Sequence, residues 1–214
     1  MKTIKQFALV IGFGALINNV WADNGTFSAP AGSPWSLSGS LGMMQYNNVY
    51  GQDGETATGR FGLEYQLLHH DYFNLGLELG LQNGNFMRLA IPEETIKLIG
   101  GMPVEVQAKP MVDLLLTSEF FSDLTPLYVL LKGGIAYRRL KQTFGDSLND
   151  LAKFSPEVQA GIGYPISKNT SITLSYQHIF GDNPNFIPNL LTGKDTITNI
   201  PSQQAALIGF SFVF

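Results

Sequence analysis

The sequence has no cysteine, little charge and, past its first residues, no long apolar run, and each shortage excludes something. Secreted eukaryotic domains often rely on disulfides, so an exported chain with no Cys fits a bacterial envelope better. Charged residues make up 14% of the chain, against about 25% in ordinary soluble proteins. The densest basic cluster is Arg138-Arg139-Leu140-Lys141, too short to suggest a nucleic-acid partner. Crossing a bilayer as a helix takes about 20 apolar residues. Apart from the N-terminus, the densest apolar runs are Leu114–Leu116 and Leu130–Leu131. A chain this apolar and aromatic-rich (12% Phe, Trp and Tyr) must therefore bury its apolar residues in strands.

The N-terminus reads as an export signal. Lys2 and Lys5 make a short basic region, Phe7–Ile17 an apolar run of eleven, and Val20-Trp21-Ala22 a cleavage site between Ala22 and Asp23. Residues 1–22 are thus expected to be a signal peptide and 23–34, with Pro30 and Pro34, a periplasmic lead. The barrel domain would span 35–214. Removing Lys2 and Lys5 leaves 11 basic against 17 acidic residues, a net charge near −6.

Period-2 alternation organises the remainder. Trp35, Leu37, Leu41 and Met43 alternate with Ser36, Ser38 and Ser40; Phe61, Leu63, Tyr65 and Leu67 with Arg60, Glu64 and Gln66; Phe73, Leu75, Leu77, Leu79 and Leu81 with Asn74, Glu78 and Gln82. A fourth strand is expected from Glu105 to Thr117, with Val112, Leu114 and Leu116 opposite Lys109, Met111 and Asp113. Leu127–Tyr137, Phe154–Tyr164, Ser171–Phe180 and Ser202–Phe214 complete eight. Long connections (Asn47–Glu55, Asn83–Val104, Arg138–Lys153, Gly181–Pro201) alternate with short ones, at His69-His70-Asp71, Ser118–Thr125 and Pro165–Asn169. In lipid, open strand edges would leave backbone groups unpaired, so strands must close on themselves. The expected fold is all-β: an eight-stranded antiparallel up-and-down transmembrane barrel, with long loops outside and short turns in the periplasm.

The polar face carries Ser, Thr, Gly, Gln and Asn rather than the Lys and Glu a water-facing surface would need, so it is expected to line a narrow lumen. Its charges are Arg60, Lys109 and Lys132 against Glu64, Glu78, Asp113 and Glu157. Unpaired buried ions cost several kcal/mol each, so these seven are expected to form a salt-bridge network that blocks the pore. Aromatic residues near strand ends (Trp35, Tyr65, Phe73, Tyr137, Phe154, Tyr164, Phe180) suit interface girdles.

The final strand places Phe210, Phe212 and Phe214 on one face and resembles the C-terminal signal that outer-membrane proteins present to the barrel-assembly machinery. Together with Lys109–Leu116, Leu131-Lys132-Gly133-Gly134 and Gly161-Ile162-Gly163-Tyr164, it makes residues 35–214 resemble the OmpA-like transmembrane domain family. That resemblance implies a bacterial outer-membrane location in contact with lipid and lipopolysaccharide. The peptidoglycan-binding domain of the family is not expected, because the chain stops at the last strand.

Catalytic patterns are weak. Tyr176-Gln177-His178-Ile179-Phe180 resembles the start of a lipid A deacylase motif, but Phe180 stands where the nucleophilic Ser belongs. His69-His70-Asp71 is a polar turn, since adjacent strand residues point to opposite faces. Neither a cofactor nor enzymatic activity is expected. The leading reading is a structural or adhesive surface barrel whose four long loops contact a host or surface ligand. The last loop carries Phe186, Ile187, Leu190 and Leu191, for self-packing or ligand contact. A narrow solute or ion pore is the alternative, and a lipid A-modifying enzyme a more remote one.

Overall fold

The alternation seen in the sequence becomes a wall of strands in a computed structural model that describes residues 33–50, 53–90, 93–98, 104–142, 151–184, 186–187 and 196–214. The expected signal peptide, its cleavage point at Ala22 and Asp23, and nearly all of the lead segment lie outside the described residues, as do Leu190 and Leu191.

The described elements are β1 (Trp35–Tyr46), β2 (Glu55–His70), β3 (Phe73–Gln82), β4 (Asn85–Arg88), α1 (Glu93–Leu98), β5 (Glu105–Ala108), β6 (Met111–Ser122), β7 (Thr125–Gln142), β8 (Leu151–Pro165), β9 (Thr170–Ile179), β10 (Phe186–Ile187), β11 (Thr196–Ile197) and β12 (Gln203–Val213). Neighbouring strands pair antiparallel in the order β1-β2-β3-β6-β7-β8-β9-β12, and β12 pairs back onto β1. β4 and β5 extend β3 and β6 beyond one rim. The result is a closed barrel of eight staves, each of which pairs with a neighbour on both sides.

Outward residues form an apolar belt, with Leu41, Phe61, Phe154 and Ile208 well exposed. A continuous apolar surface of this extent suits hydrocarbon rather than water. At the short-connection rim β2 turns into β3 through Asp71 and Tyr72, and β6 into β7 through Asp123 and Leu124. The bulges after Gln66 and Phe120 lie toward this rim.

Besides His69 and His70, which are strand residues with the reversal at Asp71 and Tyr72, three stretches differ from the sequence expectation. First, the fourth strand is interrupted at Lys109–Pro110 and runs on to Ser122, so Ser118–Ser122 is strand and the turn is shorter. Proline has no N–H to give the ladder. Ala108 and Met111 both point inward with two residues between them, so the alternation slips there. Second, β7 continues to Gln142 and β8 starts at Leu151, with Arg138 opposite Lys153 and Leu140 opposite Leu151. Residues 138–142 and 151–153 are therefore wall rather than loop, because charged side chains at a strand end do not break a strand that has paired neighbours. Third, the connection from 83 to 104 holds β4 and α1, and that from 181 to 201 holds the β10–β11 ladder.

Candidate functional site

The interior is the part of the fold with concentrated chemistry. The strands β2, β3, β6 and β7 are consecutive staves, and each contributes one inward charge at mid-depth. Arg60 Nη2 lies 2.7 Å from Glu78 Oε1 and 2.5 Å from Asp113 Oδ1, and Lys132 Nζ donates to Glu78 Oε2 at 2.7 Å. Arg60 Nε also donates to Asp113 Oδ2 at 3.1 Å, giving the two-pronged geometry that favours Arg with a carboxylate. Ser38 on β1 donates to Glu78, adding a fifth stave. Gly80 faces this cluster: a Cβ there would lie 2.2 Å from Arg60 Nη2 and 2.3 Å from Asp113 Oδ1. The bare backbone at that position makes room for the ion pairs.

A layer of amides lies beside the charges. Gln177 on β9 donates to Gln82 on β3 at 3.0 Å, which bridges the lumen directly, and to Glu157 at 2.7 Å. Gln159 also donates to Glu157, and Gln82 to Thr58. Glu157 is therefore held by amides rather than by a cation, and its Oε2 has no partner among the described residues. Glu64 accepts from Thr117 at 2.6 Å and forms no ion pair among the described residues.

The sequence set thus divides. Arg60, Glu78, Asp113 and Lys132 are brought together; Glu64 and Glu157 line the same lumen but bond to neutral groups. Lys109 is a correction. The slip at Pro110 turns it to the outer face, where its Nζ donates to Gln107 Oε1 at 2.5 Å. Val106 and Ala108 are buried on the inner face, so Gln107 between them faces outward.

The expected set omits inward charges, among them Glu119 and Arg138. Glu119 accepts from Asn74 at 3.0 Å, and Arg138 donates to the Pro201 carbonyl at 2.7 Å with its guanidinium 5.9 Å from the Tyr46 ring. Alternation carried two residues past Thr117 and Ala136 finds both. Toward the short-turn rim, Phe121 packs against Tyr128 at 5.4 Å, and the Tyr128 hydroxyl bonds Ser171 at 2.7 Å. Gly163 lies under that ring, where a Cβ would meet Tyr128 Cζ at 2.0 Å.

Toward the long-connection rim the interior turns apolar. Met44, Met87, Leu89, Val106, Leu140 and Ile200 belong to one buried cluster. Ile197 and Ile200 bring part of the last connection into it. Outside the barrel at this rim, Asp53 is held by Arg88, whose Nη2 donates to Oδ1 at 2.8 Å and keeps the carboxylate below its usual range.

His178 faces outward and packs edge-on to Phe180 at 4.6 Å. His69 bonds Asn74 at 2.6 Å in the turn region, and no cluster of potential metal ligands occurs among the described residues. Phe210, Phe212 and Phe214 all point outward at the seam where β12 meets β1.

No family model matches the sequence, and no curated protein is similar to it at a significant level. Solved structures do resemble it. The outer membrane protein OprG of Pseudomonas aeruginosa is 10% identical, with 85% of this chain and 97% of that one covered, at a TM-score of 0.54. Neisserial surface protein A is 11% identical, covering 85% and 98%, at 0.51. The outer membrane enzyme PagL is 14% identical, covering 84% and 99%, at 0.41. Closed by β12 on β1 and belted in apolar side chains, the chain has the fold of the eight-stranded bacterial outer-membrane β-barrels.

Proposed function

We propose that this protein is a non-enzymatic surface barrel of the outer membrane, with a sealed lumen and long loops that make external contacts. The observation that carries the reading is the cross-lumen layer: Lys132–Glu78–Arg60–Asp113 on one wall and Gln177–Gln82 reaching across from the other. Side chains tied by this many bonds leave no continuous water path, so the lumen serves as a rigid core. The long-connection rim faces the exterior, as it does in outer-membrane barrels. Function then lies in the loops. The apolar residues of the last loop serve chiefly self-packing, which Ile197 and Ile200 support.

The signal peptide of residues 1–22 directs export, and Phe210, Phe212 and Phe214 form the signal read by the barrel-assembly machinery. Replacing residues 183–199 by a short turn tests the surface role. The expected outcome is a barrel that still migrates in its folded form on an unboiled gel but loses adhesion to host cells or extracellular matrix. Unchanged adhesion would contradict a role for that loop. Sugar-driven swelling of proteoliposomes should stay at the protein-free level.

A further inference from the structure

The apolar mouth of the barrel encloses one cation that the packing around it does not answer. Ala136, Arg138 and Leu140 follow one another on the inner face of β7, and all three are buried. Leu140, Tyr46 and Ile200 belong to the apolar cluster and line a small cavity together with Arg138 and Gln203. The guanidinium is thus set among groups that cannot replace its hydration.

Its hydrogen bonds are incomplete. Nη2 donates to the Pro201 carbonyl at 2.7 Å, and the Tyr46 ring centre lies 5.9 Å from the guanidinium carbon. Nη1 is buried and has no acceptor among the described residues. A buried donor without a partner is rare in folded proteins and marks a place where something else binds.

Its charge is unanswered as well. Among the described residues no carboxylate lies within ion-pair distance of Arg138, and none lines the cavity. The inward carboxylate of β8, Glu157, is held by Gln159 and Gln177. Directly opposite Arg138 on β8 stands Lys153, a second inward cation, whose Nζ donates to the neutral Asn199 Oδ1 at 2.8 Å. Like charges facing each other across a strand pair repel, so two cations sit where a counter-ion is needed.

The space available selects that counter-ion. The centre of a water-sized sphere has about 10 Å³ to move in, which holds roughly one such occupant. Phosphate and sulfate are too large. A water molecule would accept from Nη1 but leave the charge standing, whereas a monatomic anion answers both. We propose that Arg138 Nη1 and the charge of Lys153 hold a monatomic anion of the chloride class in the mouth of the barrel. Arg138 also holds the Pro201 carbonyl and Lys153 holds Asn199, so the anion fastens the last connection to β7 and β8.

The test uses the full-length barrel folded in a neutral detergent, with chloride exchanged for gluconate at constant ionic strength. Chlorine NMR should show saturable line broadening that bromide reverses by competition. Arg138→Gln, confirmed as folded by its unboiled gel migration, should weaken chloride binding at least about tenfold, the loss of one charged hydrogen bond. Lys153→Gln should weaken it by a smaller factor, and Arg88→Gln, whose cation lies outside the barrel, should bind as wild type. Crystals of the wild-type protein soaked in bromide read the site without any variant, and should show the ion's anomalous signal beside Arg138 Nη1. A water or a side-chain carboxylate at that position would overturn the site. So would bromide found only on exposed cations, or undiminished chloride binding by the folded Arg138→Gln variant. The site stands whether or not the lumen below it conducts.

Discussion

The two ends of the lumen are packed by different chemistry. At mid-depth the interior is carboxylates, cations and amides, most of them held by partners on other staves. Toward the long-connection rim it is Met87, Leu89, Val106 and Leu140, packed like the core of a soluble domain. The difference follows from what surrounds each zone. The centre is ringed by lipid-facing side chains, so the barrel's polar content can only point inward, where each charge must be answered. The mouth rises past the belt on β4, β5 and β7, where loops can fold back over it and bury apolar residues. The centre therefore depends on pairing and the mouth on packing.

The largest effect that would break this contrast comes from the centre. Arg60→Gln leaves Glu78 and Asp113 facing each other with only Lys132 nearby, and should destabilise the barrel by about 3–5 kcal/mol, the usual cost of breaking a buried pair. Denaturant unfolding in lipid vesicles measures it. Leu89→Ala in the mouth should cost about 2–4 kcal/mol of cavity and lost burial. Its loss should appear chiefly as faster proteolysis of the long connections, with the membrane-embedded strands still protected. Equal damage to both zones would mean that the two are one cooperative core.

A middle-sized effect is expected at Gly80. Gly80→Ala puts a methyl group where Arg60 and Asp113 now meet, and should cost on the order of 1–3 kcal/mol by overpacking. Gly133→Ala is its control, because a Cβ there meets nothing within 4 Å. The smallest effect concerns the outside of the mouth. Arg88 lowers the Asp53 pKa, so this contact is fully present above the ordinary aspartate range and is lost as pH falls below it. Hydrogen exchange around Tyr50 and Arg88 should be unchanged from neutral to mildly acidic pH, and should quicken only in strong acid. The pair is exposed to solvent and screened by salt.

How much of this was legible depended on where alternation met a breaker. Phe73 to Gln82 alternates without a fault, and β3 has those bounds. Arg60, Glu78, Asp113 and Lys132 could be read as one face because no irregularity separates them from their strand centres. Glu119 and Arg138 were lost because Ser118 and the Arg138-Arg139 pair looked like turn and loop chemistry, whereas pairing with neighbouring staves carries the strands through both. Lys109 was misplaced because a proline inside a run shifts the phase by one residue, and a one-residue slip moves a side chain to the other face. The amide bridge from Gln177 to Gln82 joins residues far apart in sequence, and strand periodicity carries no information about which staves lie across a lumen.

The most direct test of the sealed lumen is single-channel recording in a planar bilayer, comparing wild type with a Lys132→Ala, Gln177→Ala variant. Wild type should give no steady conductance, and the variant, which removes one bonded side chain from each layer, should give discrete cation-preferring openings past Glu64, Glu78 and Glu157. Steady conductance from the folded wild-type barrel would contradict the account.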